Sequence, residues 1–150
     1  MPKTYDLIVI GGGSAGLVAA GGAALLGAKV ALIEKNKLGG DCLYTGCVPS
    51  KSLIRSAKFA AEIKRANDFG FQVSNFGFLN KDFASITNRV QQIIETIEPH
   101  DSPEVFEKMG VEVIFGNARF ISPNEMEIVL RNGESFLRII RPLCGRVFEL

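Results

Sequence analysis

Gly11-x-Gly13-x-x-Gly16 lies between a short apolar run and a stretch of small residues, an order that few folds accommodate. Tyr5 to Ile10 reads as a buried strand, short, β-branched and bounded by glycine. Ser14 to Leu26 reads as a helix of small residues, and Lys29 to Glu34 as a second strand with Val30, Leu32 and Ile33 apolar. The result is a β-α-β unit, whose parallel crossover is nearly always right-handed and packs its helix against the sheet. Each glycine has a separate task in such a unit: Gly11 permits the tight turn, Gly13 lets backbone approach a pyrophosphate, and Gly16 lets the helix lie close to the strand. The first helical turn, with Ser14 and Ala15, offers unsatisfied N–H groups to a diphosphate. Glu34 closes the second strand 23 residues after Gly11 (34 − 11), where a carboxylate can accept hydrogen bonds from ribose hydroxyls, and Lys35 follows it. The bland alternative is a glycine-rich turn in an α/β protein without ligand. The glycines alone do not choose between a flavin and a nicotinamide dinucleotide.

The bulk composition narrows the class. A chain of 150 residues suggests one domain, and 47% apolar with 22% charged residues suits a globular core. A formal net charge of +1 makes no electrostatic case for nucleic acid or an anionic membrane as the main partner. Leu7 to Ala28 is apolar enough to imitate a membrane span, but seven glycines interrupt it and its first half reads as strand and turn. Met1-Pro2-Lys3 and the brief run behind it do not make a secretory signal, so the expected compartment is the cytoplasm.

Beyond the first unit, Asn36 to Cys47 reads as a loop leading into a helix from about Pro49 to Ala66. Asn67 to Asn80, rich in Phe and Gly, reads as a connection, and Lys81 to Glu98 as another helix. Ile86, Val90, Ile93, Ile94 and Ile97 mark that helix's apolar face, a core stripe. Ser102-Pro103-Glu104 restarts a short helix with Ser102 as N-cap. Val111 to Phe115 reads as a third strand, and 118–121, 125–130 and 135–140 as short antiparallel strands, with Asn132-Gly133 as a hairpin turn. Phe69, Phe71, Phe76, Phe78 and Phe83 suit either core or interface, whereas Lys58, Glu62, Lys64 and Arg65 read as a solvated helix face.

The segment Gly39-Gly40-Asp41-Cys42-Leu43-Tyr44-Thr45-Gly46-Cys47-Val48-Pro49-Ser50-Lys51 carries the chemistry. In a compartment that keeps thiols reduced, a close cysteine pair is more often catalytic or metal-binding than a structural staple. No second Cys or His pair with ligand spacing follows, which weakens the metal reading. A regular helix would separate residues five apart by about 140° and about 7.5 Å of rise. A disulfide needs Cα atoms closer than about 7 Å. If Cys42 and Cys47 bridge, the stretch between them departs from a helix, and Gly46 supplies the freedom.

At these residues the chain resembles the class I pyridine nucleotide-disulfide oxidoreductases, a family that includes lipoamide dehydrogenase, glutathione reductase and mercuric reductase. Gly39, Gly40, Cys42, Cys47, Val48, Pro49, Ser50 and Lys51 match its G-G-T-C-x4-C-V-P-S-K motif, and Asp41 stands where threonine is common. Leu43-Tyr44-Thr45-Gly46 and the stretch from Gly110 to Phe120 look like the mercuric-reductase-like branch. The resemblance implies an α/β fold: a Rossmann-like FAD-binding domain with a parallel sheet flanked by helices, plus a small antiparallel β-meander. It implies FAD as cofactor, held by Gly11, Gly13, Ser14, Ala15, Gly16, Glu34, Lys35, Gly40, Asp41, Cys42, Cys47 and Lys51. By position, Cys47 is the flavin-proximal thiolate, Cys42 the interchange thiol, Lys51 the group that tunes the flavin, and Glu34 the ribose ligand. A helix N-terminus or a nearby cation would stabilise a thiolate at Cys47. Cys144 and His100 match no family position and read as a bland thiol and a surface residue.

The resemblance runs from about Tyr5 to Glu134, and residues 135–150 read as a divergent tail without the family's A-T-G-x-x-P-like turn. A frameshift or truncation would produce such a tail. The family's NAD(P)H and dimerisation domains are expected to be absent from 1–150, and the partner expected in their place is a second copy of the chain, a homodimer through newly exposed surface. NAD(P)H then belongs to the full-length parent, and the chain alone is expected to show little or no reductase activity. The alternatives are a stand-alone FAD- or nucleotide-binding module and a non-functional remnant.

Overall fold

The computed structural model describes residues 3–72, 82–140 and 148–149. Phe76, Phe78, Lys81 and Cys144, which enter the readings above, lie outside the described residues. In chain order the elements are β1 (Lys3–Tyr5), β2 (Leu7–Ile10), α1 (Ser14–Leu25), β3 (Val30–Glu34), α2 (Gly40–Tyr44), α3 (Cys47–Lys64), α4 (Phe83–Ile97), α5 (Pro103–Lys108), β4 (Val111–Ser122), β5 (Glu125–Leu130), β6 (Ser135–Ile140) and β7 (Phe148–Glu149). Single 3-10 turns follow α3 and α4, at Ala66–Phe69 and Glu98–Asp101. No described helix is long and apolar enough to cross a membrane. The chain forms two compact units, residues 1–40 with 98–150, and residues 41–97.

The first unit is built on a seven-stranded sheet in the order β1-β6-β5-β4-β3-β2-β7. β7, β2, β3 and the first part of β4 run parallel, which is the β-α-β core. From Gly116 onward β4 pairs antiparallel with β5, and β5 with β6, which is the meander. The architecture is thus α/β with a mixed sheet, as the glycine-flanked strands predict. β3 is buried at all five positions, as suits a central parallel strand covered on both faces. Val30 and Leu32 point to the face where Leu17 and Ala20 of α1 and Phe106 of α5 pack. Ala31 and Ile33 point to the other face, onto Tyr5, Ile8, Ile114, Met126 and Ile128. Each fully buried side chain of this size contributes about 1.5–3 kcal/mol.

Three local features differ from the residue pattern, each for a physical reason. Where one strand is expected over 5–10, the chain bends at Asp6, whose N–H donates to the Lys29 carbonyl (2.9 Å) and whose carboxylate accepts the Lys29 N–H (2.9 Å). β1 therefore pairs with β6 while β2 pairs with β3, so Asp6 joins one end of the strand order to its next-to-last strand at the other. Where two strands are expected over 111–121, β4 is continuous, because it exchanges one partner for another without breaking: Phe115 still pairs with β3, and Gly116 already pairs with β5. The expected loop over 36–47 contains the short helix α2, and α3 begins at Cys47, before Pro49. Proline is tolerated there because the N–H groups of a first turn have no intrahelical partner.

In the second unit α3 packs against α4. Ile94 is buried in the stripe anticipated on α4, and Ile86, Val90, Ile93 and Ile97 are half-buried. Asp82 caps α4 by accepting the N–H groups of Ala84 (3.0 Å) and Ser85 (3.2 Å). Phe69, Phe71 and Phe83 are exposed.

Candidate functional site

The glycine loop connects β2 to α1 with Gly11 in the left-handed region, at φ 99°. The Gly11 N–H donates to the Ile33 carbonyl (2.8 Å), which anchors the turn to the end of β3. At Gly16 a Cβ would stand 1.9 Å from the Gly11 carbonyl oxygen, so only glycine lets α1 lie this close to the turn. Gly13 is the N-cap of α1, no side chain caps the helix, and its first turn carries no acidic residue. The N–H groups of that turn, which Ser14 and Ala15 open, are left for an anion. A Cβ at Gly13 would meet nothing within 4 Å, so the space above it is open. The segment after β3 folds back over the loop. Gly39 bridges to Gly13, its N–H donating to the Gly12 carbonyl (2.8 Å). A Cβ at Gly40 would lie 2.8 Å from the Gly13 Cα.

Glu34 sits at the end of β3, 8% exposed. Its Oε2 accepts the buried N–H of Gly12 (2.6 Å) and its Oε1 the N–H of Asn36 (2.6 Å). The carboxylate thus ties the glycine loop to the segment that follows β3, and its oxygens retain lone pairs for further donors. Lys35 is exposed beside it. Glu34→Ala removes the acceptor from a buried N–H, a loss of about 1–3 kcal/mol. The melting temperature of the ligand-free protein should fall by about 2–4 °C per kcal/mol, and Glu34→Gln, which keeps an acceptor, should lose less. An alanine variant melting with the wild type would contradict this role.

Cys42 lies in α2 and Cys47 is the first residue of α3. Neither is in a disulfide; Cys47 is exposed and Cys42 partly so. The chain doubles back between them: the N–H groups of Thr45 (3.0 Å) and Gly46 (2.5 Å) both donate to the Asp41 carbonyl. A Cβ at Gly46 would lie 2.9 Å from that same oxygen, so glycine is needed where the turn is tightest. Asp41 itself is exposed, its carboxylate 3.4 Å from the Thr45 hydroxyl. A hydrogen bond to Cys42, and then the charge of Cys42, push the Cys47 thiol above its ordinary value, while the Lys51 ammonium pulls it down. Lys51 is exposed, one helical turn beyond Cys47. Two thiols coupled in this way release their protons in two steps. Cys42→Ala should therefore lower the pKa of Cys47, and Lys51→Met should raise it. The pH profile of Cys47 alkylation by iodoacetamide, read by peptide mass mapping, measures both. Equal profiles in all three proteins would contradict the coupling.

The residues singled out from the sequence fall into two groups. Gly11, Gly13, Ser14, Ala15, Gly16, Glu34, Lys35 and Gly40 belong to the first unit, and Asp41, Cys42, Cys47 and Lys51 to the second. Sequence reasoning missed Gly12, a variable position of the fingerprint, whose N–H is nonetheless Glu34's buried partner. It also missed Arg131, which donates to the Lys35 and Asn36 carbonyls. On α3, Ser52 is buried and accepts a hydrogen bond from Arg89 (2.9 Å). No spacing rule signals either contact. His100 is exposed.

The family model described as pyridine nucleotide-disulphide oxidoreductase matches residues 5–136. A dihydrolipoyl dehydrogenase of Acholeplasma laidlawii is 40% identical over 135 residues, covering 90% of this chain and 38% of that protein. One from Bacillus subtilis (strain 168) is 36% identical over 124 residues, 83% of this chain and 25% of that protein. A glutathione reductase of Schizosaccharomyces pombe is 40% identical over 132 residues, 87% of this chain and 28% of that protein. The chain therefore spans 25–38% of the length of these relatives.

Proposed function

The chain belongs to the pyridine nucleotide-disulphide oxidoreductases, and from that premise we propose that it is the FAD-binding, dithiol-bearing part of a flavoprotein disulfide reductase. The N–H groups at the start of α1 and the open face of Gly13 suit the FAD diphosphate, and Glu34 suits the adenosine ribose. Lys35, Gly40 and Asp41 border this site in sequence, and Lys51 is assigned to the isoalloxazine end together with Cys47. Bound FAD would supply the hydride-accepting chemistry that side chains lack.

The observation that carries the reading is the thiol pair of Cys42 on α2 and Cys47 at the start of α3, joined by a turn at Gly46, with Lys51 one helical turn beyond Cys47. A thiolate is the attacking form. Cys42, as the interchange thiol, attacks one sulfur of a disulfide R–S–S–R, forming a mixed disulfide and expelling RS⁻, which takes up a proton. Cys47 then attacks the Cys42 sulfur, releasing the second thiol and closing a Cys42–Cys47 disulfide. The substrate gains two electrons and the protein loses two. Reduction of that disulfide back to the dithiol would draw on NAD(P)H, with FAD as the intermediary cofactor. The names of the relatives, dihydrolipoyl dehydrogenase and glutathione reductase, support a small dithiol or disulfide substrate. The mercuric-reductase-like wording of Leu43-Tyr44-Thr45-Gly46 favours a second reading, in which the same two thiolates hold a soft metal ion.

Stoichiometric mixing of the reduced chain with oxidised lipoamide or glutathione tests the first reading. One Cys42–Cys47 disulfide per chain, found by mass mapping, is the expected product. Persistent mixed disulfides at Cys42, with Cys47 still a free thiol, would argue against it.

A further inference from the structure

We propose that Arg131 is a positioning residue for the adenosine end of the dinucleotide, acting through the Lys35–Asn36 peptide group on Glu34; this rests on the reading of Glu34 as the ribose ligand. Arg131 Nη2 donates to the Lys35 carbonyl (3.1 Å) and to the Asn36 carbonyl (2.7 Å). The Lys35 carbonyl and the Asn36 N–H belong to one planar peptide group. That group's oxygen is held by a guanidinium, and its N–H donates to Glu34 Oε1 at 2.6 Å. A rigid plane pinned at its oxygen has little freedom to swing its N–H, so the guanidinium sets the direction from which Glu34 is gripped. The other carboxylate oxygen is gripped by the Gly12 N–H. Between them the two donors fix the carboxylate's orientation, and with it the direction of the lone pairs left for a ribose.

The clamp is itself supported. The Arg131 guanidinium lies over the Phe115 ring, 5.5 Å from its centroid, and Phe115 is the β4 partner of Glu34. Arg131 opens the β5–β6 turn, which is closed by the Leu130 N–H to Glu134 carbonyl bond (2.8 Å) and by Asn132 Oδ1 accepting the Glu134 N–H (3.0 Å). A planar guanidinium lying over an aromatic ring while its Nη2 donates to two carbonyls is held in one orientation, which a lysine ammonium, a point charge on a flexible stem, does not reproduce.

The test compares ADP with 2′,3′-dideoxy-ADP, which lacks the ribose hydroxyls, binding to the full chain by calorimetry. In the wild type ADP should bind about tenfold more tightly, the equivalent of roughly one charge-assisted hydrogen bond. In Arg131→Met, which keeps the aliphatic stem, the ratio should fall to about twofold or less, with the loss confined to ADP. A merely structural role would weaken both ligands equally and leave the ratio near ten, which would overturn the proposal while the ribose assignment stands. A wild-type ratio near one would instead overturn the ribose assignment on which it rests. Arg131→Lys, which preserves charge, decides the matter if the methionine variant does not fold: an intermediate ratio is expected, and an unchanged one is contrary.

Discussion

Gly16→Ala is expected to destabilise the ligand-free fold and to weaken FAD binding by roughly a hundredfold. The new Cβ would stand 1.9 Å from the Gly11 carbonyl oxygen and 3.3 Å from Val9 Cγ1. The nearest obstacle is backbone, itself held to Ile33 by the Gly11 N–H, so it has little room to yield. Overpacking of this kind costs about 1–3 kcal/mol and occasionally more. α1 must shift away from β2, and its first-turn N–H groups move with it. A displacement that removes about 3 kcal/mol of diphosphate contact lowers affinity by roughly a hundredfold. Gly13→Ala separates fold from site. Its Cβ meets no protein atom within 4 Å, so the melting temperature should hold while FAD binding is lost to the methyl group in the ligand's space. Thermal melts and FAD titrations of the two variants check both halves. Equal FAD affinity in Gly13→Ala and wild type would place the dinucleotide elsewhere.

Cys47→Ser is expected to eliminate internal disulfide chemistry. Of the three cysteines in the chain, two, Cys42 and Cys47, form the pair. Mild oxidation of the wild type should consume these two thiols without increasing its mass by a second chain. In Cys47→Ser the mixed disulfide at Cys42 has no neighbouring thiol to resolve it, so it should persist and drive intermolecular cross-links instead. Gly46→Ala is the subtler companion, because it leaves both thiols but crowds the Asp41 carbonyl at 2.9 Å, and it should slow closure of the pair. Non-reducing mass analysis reads all three outcomes. Ready internal closure in Cys47→Ser, through another cysteine, would contradict the pairing.

The β-α-β unit is legible in the sequence because its signals are local. Gly11, Gly13 and Gly16 are fixed by backbone chemistry within one turn, and Glu34 by its place at the end of a buried strand. The cysteine pair is legible because a contiguous motif, Gly39 to Lys51, surrounds it, and Gly46 stands where the chain turns between the two thiols. What escapes the sequence is non-local or context-dependent. Nothing about Arg131 marks it as a neighbour of Asn36, 95 positions away, because only the pairing of β4 with β3 at Phe115 and with β5 at Gly116 brings the β5–β6 turn to the end of β3. Gly12 fills a variable place in the fingerprint, yet its N–H is buried against Glu34. The early start of α3 is hidden because proline fits several positions of a first turn, and residue pattern alone does not choose among them. The unbroken run of β4 is hidden for a similar reason: local periodicity does not report that a strand exchanges a parallel partner for an antiparallel one.

The most direct test of the central claim is a titration of the purified 150-residue chain with FAD, following flavin absorbance and the melting temperature together. A site that binds only the folded chain stabilises it by about 2.7 kcal/mol at a free ligand concentration one hundred times Kd. The expected result is one FAD per chain, a melting temperature that rises with FAD, and loss of both effects in Gly13→Ala at an unchanged ligand-free melting temperature. A wild-type chain that retains no flavin and melts at the same temperature with and without FAD would contradict it.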